Sequence, residues 1–194
     1  MKRLIAVAAF TAALLGSHAA VAQGKLGNLY VGGAIGQSDV DTSVADGVID
    51  SGTVDGKDTA FKAFAGIQLH PNFAVELSYV DLGAVKYSGT FGGAPVTGGA
   101  IDLKGVGLAA VGSWPFSEYL SVHARAGFWS WEAEARDTTA GVPFGVTSDG
   151  TDLFYGIGAT LNVTRNIGVR VEWEQYKLES DQAGLISLGV LYRF

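Results

Sequence analysis

Ile167-Gly168-Val169-Arg170-Val171-Glu172-Trp173-Glu174 is the stretch on which the fold turns. Ile167, Val169, Val171 and Trp173 fall on one side of an extended chain, and Gly168, Arg170, Glu172 and Glu174 on the other. A period of two is the signature of a strand with two unlike faces. The unusual feature is the composition of the second face, which is small or charged. A soluble barrel would turn the apolar set inward. Here the small and charged set recurs strand after strand, and an interior just wide enough for side chains would suit it. The apolar set is then expected to face lipid.

The same alternation runs outward in both directions. Ile186, Leu188, Val190, Tyr192 and Phe194 share one face, and Ser187, Gly189, Leu191 and Arg193 the other. Phe73, Val75, Leu77 and Tyr79 oppose Ala74, Glu76 and Ser78. Eight alternating segments are read, at about 29–38, 59–70, 73–84, 101–113, 119–131, 152–163, 167–178 and 184–194. Their lengths suit tilted strands that cross a bilayer.

The connections alternate too. His70-Pro71-Asn72, Trp114-Pro115-Phe116-Ser117-Glu118 and Thr164-Arg165-Asn166 are short, with residues that favour turns. Residues 39–58, 85–100 and 132–151 are long and rich in Gly, Asp, Ser and Thr; 179–183 belongs to the same side. An even number of antiparallel strands with short turns at one end and long loops at the other describes an all-β, eight-stranded, up-and-down transmembrane barrel. Short turns would lie in the periplasm with both mature termini, and the long loops outside the cell. The opposing expectation, a secreted lipocalin-like barrel, requires charges on every outer face and an N-terminal G-x-W, and neither is present.

Composition agrees. The 194 residues contain 28 glycines, twice the ordinary ~7%. No run of about 20 apolar residues exists in the body of the chain, which excludes a helical membrane bundle. Cysteine is absent, so disulfides, thiolate metal sites and cysteine nucleophiles are excluded. Lys2 and Arg3, the apolar run Leu4–Leu15 and Ala20-Val21-Ala22 form a secretory signal peptide. Cleavage after Ala22 leaves a barrel domain of 172 residues, 23–194, and moves the formal charge from −6 to −8. That balance argues against nucleic acid as a partner.

The residues also resemble a known family. Leu29–Gly36, Lys62–Pro71 running into Val75–Tyr79 with Leu82-Gly83, Asn166–Trp173 and Leu185–Phe194 are similar to the eight-stranded transmembrane domain of outer membrane protein A. The resemblance covers the mature chain apart from its long loops. That family often continues into a peptidoglycan-binding domain; the sequence ends at Phe194, so cell-wall anchoring is not carried over. Of the family's two interior carboxylate–base pairs, Glu76 and Arg170 match one. Val111 and Thr160 occupy the positions of the other, removing both partners together.

Several expectations for function follow. Glu76, Arg125, Arg170 and Glu172 form an interior charge network, with His123 and Arg193 nearby. It serves either as a plug that specifies register or as a narrow gate for small ions. Leu188, Val190, Tyr192 and Phe194 are, by the resemblance, an assembly signal read by the barrel assembly machinery after delivery by periplasmic chaperones. Outer-membrane lipid and lipopolysaccharide are the expected surroundings, and the extracellular loops the expected site for any surface ligand. Trp114, Tyr192 and Phe194 form an aromatic girdle.

No cofactor and no metal centre are expected. Asp39, Asp41, Asp46, Asp50, Asp55 and Asp58 make the first loop acidic, and Asp39-Val40-Asp41 opens like a calcium loop. Val44 replaces the glycine at the sixth position, and Asp50 the glutamate at the twelfth. The loop is read as solvated, with loose collection of divalent cations among lipopolysaccharide phosphates as the other reading.

Catalysis is not expected. His70 sits at a turn, and Ser121 and His123 share a face with no evident carboxylate orienter. The leading reading is a non-enzymatic envelope protein with a structural or surface-interaction role. The alternatives are a narrow ion channel or porin-like protein, and a lipid A-modifying barrel enzyme.

Overall fold

The computed structural model describes residues 29–40, 51–91, 94–139, 142–178 and 181–194. The described residues form nine strands: β1 (Leu29–Val40), β2 (Ser51–Asp55), β3 (Lys57–His70), β4 (Phe73–Phe91), β5 (Ala94–Pro115), β6 (Leu120–Thr139), β7 (Val142–Asn162), β8 (Ile167–Leu178) and β9 (Asp181–Arg193). β2 and β3 pair successively along β4 and together make one stave. The staves are therefore eight. Every pairing is antiparallel, and β1 pairs with both β3 and β9, which closes the barrel. Phe194 donates its backbone N–H to the Leu29 carbonyl at 3.1 Å across that seam. Among the described residues every strand except β2 has a partner on both sides, the requirement for strands in hydrocarbon.

Three of the eight expected segments end where the structure also ends them, within a residue or two. The largest differences concern 85–100 and 132–151, expected as loops. They are strand. β4 and β5 continue their ladder out to Phe91 and Ala94, and β6 and β7 out to Thr139 and Val142. Their polar, glycine-rich composition marks strand surfaces facing water rather than irregular chain. Asp39, Asp55 and Asp58 also lie within strands, while Asp41, Asp46 and Asp50, like the signal segment 1–22, lie outside the described residues.

The register irregularity between Asp81 and Ala84 has a local cause. Gly83 adopts φ +77°, a left-handed conformation natural to glycine. Before it, Ala74, Glu76, Ser78, Val80 and Leu82 point inward; after it, Val85 and Tyr87 do. The extra residue is a bulge that exchanges the faces of the strand.

Sidedness follows the alternation. Phe73, Leu108, Phe128, Ile157, Ile186 and Leu188 are each more than half exposed, on the outer surface. Higher up, the outward positions become polar. Asp81, Lys104, Glu132 and Asp149 are register neighbours across four adjacent strands and mark that boundary. Trp114, Phe116, Tyr119, Tyr192 and Phe194 are exposed at the short-turn end, a fuller girdle than expected.

The short turns are held by side chains. Ser117 Oγ accepts the N–H of Leu120 at 3.0 Å, and Thr164 Oγ1 that of Ile167 at 2.9 Å. Asn166 Nδ2 ties its turn to the Arg193 carbonyl at 2.7 Å.

Candidate functional site: a charged layer inside the barrel

The interior is built in three layers. Uppermost, toward the long-hairpin end, Val80, Leu82, Leu103, Trp129, Phe154, Tyr176 and Leu185 belong to one apolar cluster. Tyr176 stacks on Phe154 at 5.1 Å and meets Trp129 edge-on at 4.7 Å. Lowest, Tyr30, Phe64, Ala74, Val111 and Leu191 form a smaller cluster. Between them lies a layer of charge.

All four expected network residues are there, and the structure brings them into contact. Arg170 Nη1 donates to Glu76 Oε2 at 2.9 Å. Arg125 Nη1 lies 2.8 Å from Glu76 Oε1, 3.4 Å from Glu172 and 3.2 Å from Glu174. The structure adds Lys62 and Glu174, which the expected four do not include. Lys62 pairs with Glu172 and, at 2.6 Å, with Glu174. His123 Nε2 is 2.9 Å from Glu172 Oε1. The signal for Lys62 was present: it shares parity with Gly66, a small residue of the kind expected on the inner face. Glu174 likewise stood on the charged face of its own strand.

Strand geometry explains the convergence. Glu172 and Glu174 are successive inward positions of β8, and Arg170 precedes them on the same face. β6, two strands away, supplies His123 and Arg125, with His123 in register with Glu172 through Gly158. β3 supplies Lys62, and β4, on the opposite side of the barrel, Glu76. Tyr30 donates to Glu76 at 2.9 Å and Tyr176 to Glu174 at 3.1 Å, so a phenol closes the layer on each side. The cations also lie against rings: Arg125 over Phe154 at 5.2 Å and Arg170 over Phe64 at 4.7 Å.

Three cations, Lys62, Arg125 and Arg170, meet three carboxylates, Glu76, Glu172 and Glu174. All are nearly or fully buried. A buried charge is tolerable when paired and hydrogen-bonded, and the charges balance here. Glycine makes room for the rings beside the layer: a Cβ on Gly66 would fall inside the Tyr30 ring, and Tyr30 is its register partner.

Val111 and Thr160 are buried and face the lumen without charge. Arg193 stands apart from the carboxylates and donates to Asn162 Oδ1 at 2.8 Å. His123 does have a carboxylate partner, Glu172, which corrects the expectation that none was available. Among the described residues no hydrogen bond joins Ser121 to His123. The same residues contain no cluster of side chains able to hold a metal ion. Leu188, Val190, Tyr192 and Phe194 lie in a row on the outer face of the closing strand and its end.

Comparison with known proteins agrees with this architecture. Residues 8–194 match the outer membrane protein beta-barrel domain family. The chain is 31% identical over 199 residues to outer membrane protein A of Shigella dysenteriae, spanning 96% of this chain and 54% of the relative. It is 31% identical over 142 residues to that of Klebsiella pneumoniae, covering 68% and 40% respectively. The chain thus spans about half the length, or less, of the curated relatives it matches. Among solved structures it resembles Ail, the attachment invasion locus protein of Yersinia pestis, with TM-score 0.58 and 20% identity over 87% of this chain and 99% of that one. The Neisserial surface protein A (TM-score 0.57, 18% identity, 86% and 97%) shares the fold. So does the N-terminal barrel of OprF from Pseudomonas aeruginosa (TM-score 0.55, 16% identity, 86% and 98%).

Proposed function

The chain belongs to the outer membrane protein beta-barrel domain family, and from that premise we propose that it is a non-conducting, non-enzymatic envelope barrel. Its role is to stiffen the outer membrane and to present the two long hairpins, β4–β5 and β6–β7, at the cell surface. The observation that carries this reading is the filled lumen. An ion crossing it would have to pass Trp129, Phe154 and Tyr176, then the balanced charge layer, then the cluster around Phe64. Separating Arg170 from Glu76 alone opens none of the apolar layers, so the narrow-channel reading demands movement of packed aromatic rings as well. A structural role makes the charge layer a register device: six side chains from four strands meet only in one alignment.

Non-enzymatic character rests on the histidines. His123 is buried against Glu172 with no hydroxyl nucleophile hydrogen-bonded to it, and His70 is exposed at a turn. A nucleophile, its base and an orienter must be linked for acyl transfer to lipid.

The short turns and long hairpins support periplasmic termini, extracellular hairpins, and lipid with lipopolysaccharide around the apolar band. The basic start, apolar run and Ala20-Val21-Ala22 support a cleaved leader 1–22. The outward row Leu188, Val190, Tyr192 and Phe194 is suited to reading by the barrel assembly machinery, with periplasmic chaperones upstream. Planar-bilayer recording of the refolded protein, with a deletion strain scored for detergent sensitivity and lipid A composition, tests the whole reading. The expected outcome is silent bilayers, a detergent-sensitive strain and an unchanged lipid A profile. Stepwise currents or an altered lipid A profile overturn it.

A further inference from the structure

The charge layer is balanced, yet the lumen beneath it is not. Below the layer, at the short-turn end, a cavity of about 30 Å³ opens among the ends of the strands. That is at least twice the space one water molecule needs, about 10–15 Å³. It is lined by Arg170, Arg193 and His123 with the polar side chains of Gln68, Ser121 and Thr160, and no carboxylate lines it. The Arg193 guanidinium makes no ion pair among the described residues; its side-chain hydrogen bond goes to the neutral Asn162. Arg170 is 7% exposed, and its Nε has no hydrogen-bond partner. Lys62, Arg125 and Arg170 are matched by Glu76, Glu172 and Glu174, so Arg193 leaves the lower lumen with one uncompensated positive charge.

The geometry points to a binding site for a small inorganic anion at the short-turn mouth of the barrel, held between Arg193 and Arg170. Ser121 and Thr160 line it with hydroxyls able to donate to an anion, while the Gln68 amide nitrogen is held by the His70 carbonyl at 2.7 Å and Gln68 only borders the mouth. Arginine fits this task because its fixed fork of donors serves one partner while others stay free: Arg170 spends Nη1 on Glu76, leaves Nε without a partner, and borders the cavity. The size of the cavity favours a chloride-sized ion with its water. A phosphate group would reach the same donors from the open side.

The protein refolded in phospholipid vesicles tests this. Unfolding by urea is followed while chloride or inorganic phosphate replaces gluconate, an anion too large for the cavity, at constant ionic strength. A bound anion raises the folded-to-unfolded ratio about a hundredfold at one hundred times its dissociation constant. The expected result is a saturating rise in the unfolding midpoint and broadening of the chloride NMR line by the folded protein. Both effects are lost in Arg193→Gln. They are lost also in Gln68→Glu, which places a built-in carboxylate at the mouth and keeps both arginines. A response at lower phosphate than chloride concentrations assigns the site to an oxyanion, and the reverse to a halide; either supports the site. Equal midpoints in gluconate, chloride and phosphate, or a response that persists in a folded Gln68→Glu barrel, overturns it.

Discussion

The barrel is two proteins in one sheet. Around the charge layer the strands are apolar outside and charged inside. Toward the long hairpins, past Asp81, Lys104, Glu132 and Asp149, they are polar outside and apolar inside. The Trp129–Phe154 level between them is apolar on both faces, with Phe128 and Leu153 exposed outside. Leu188 faces out and Glu172 faces in at the lower level, whereas Lys177 faces out and Leu178 faces in near the top of β8. The backbone alternation is continuous across the change. What changes is the solvent, hydrocarbon below and water above, and each level buries whatever its solvent rejects. The two cores therefore rest on different physics. The upper one is ordinary apolar packing. The lower one is a closed set of charge pairs that cost much to desolvate and more to leave unpaired.

Breaking each core separately sharpens that contrast. Glu172→Ala should have the largest effect, because it removes a carboxylate that Lys62, His123, Arg125 and Arg170 share and leaves three buried cations against two carboxylates, Glu76 and Glu174. Leaving a buried charge uncompensated costs about 3–5 kcal/mol, read by urea unfolding in phospholipid vesicles. Trp129→Ala empties the centre of the upper core and should cost about 3–5 kcal/mol, toward the lower end, since water at the open hairpins can relax the site. The contrast lies in rescue: lowering the bilayer thickness should change the first variant and not the second.

The outer surface gives the next pair. Leu188→Arg puts a charge into hydrocarbon and should cost about 2–4 kcal/mol. Thr59→Arg, above the polar boundary, should cost about 0–1 kcal/mol. Equal costs would mean that the boundary drawn through Asp81, Lys104 and Glu132 is misplaced.

The smallest effect is a pH dependence of the upper part. The Ala84 backbone N–H, and then that of Thr59, hold the Asp58 carboxyl below the usual carboxylate range. Folding therefore favours its ionised form. The contribution is present above the unfolded pKa and is lost as pH falls through the lower folded one. Asp58→Asn should flatten the acid limb of the stability curve slightly, with no change near neutrality.

The lower part was legible in the sequence because membrane strands leave a simple record. Ile167–Glu174 and Leu185–Phe194 alternate without interruption, and Glu76, Arg125, Arg170 and Glu172 stand out against so many glycines and alanines. The upper part was less so, for two reasons. Gly83 exchanges the faces of β4, so a reader holding to period two finds the pattern ending at residue 84 rather than changing phase. Beyond it, strand surfaces in water carry the same Gly, Ser, Thr and Asp as loops do. Lys62 was overlooked for a third reason: a single lysine in an otherwise apolar segment looks like a strand-end charge until the barrel closes and brings β3 opposite β8.

The seam between β1 and β9 sets an order in time. Each other stave finds its partner in the adjacent hairpin, but Tyr30 must meet Arg193, at the far end of the chain. Non-local pairings of this kind form slowly, after local ones. Until they form, the nascent sheet has two open edges and an unassembled charge layer, with Tyr30 on one edge and its Glu76 partner three staves into the sheet. The last event of folding is thus also the one that seals the interior, so a chain halted before it is an open, charged trough in a membrane that tolerates neither.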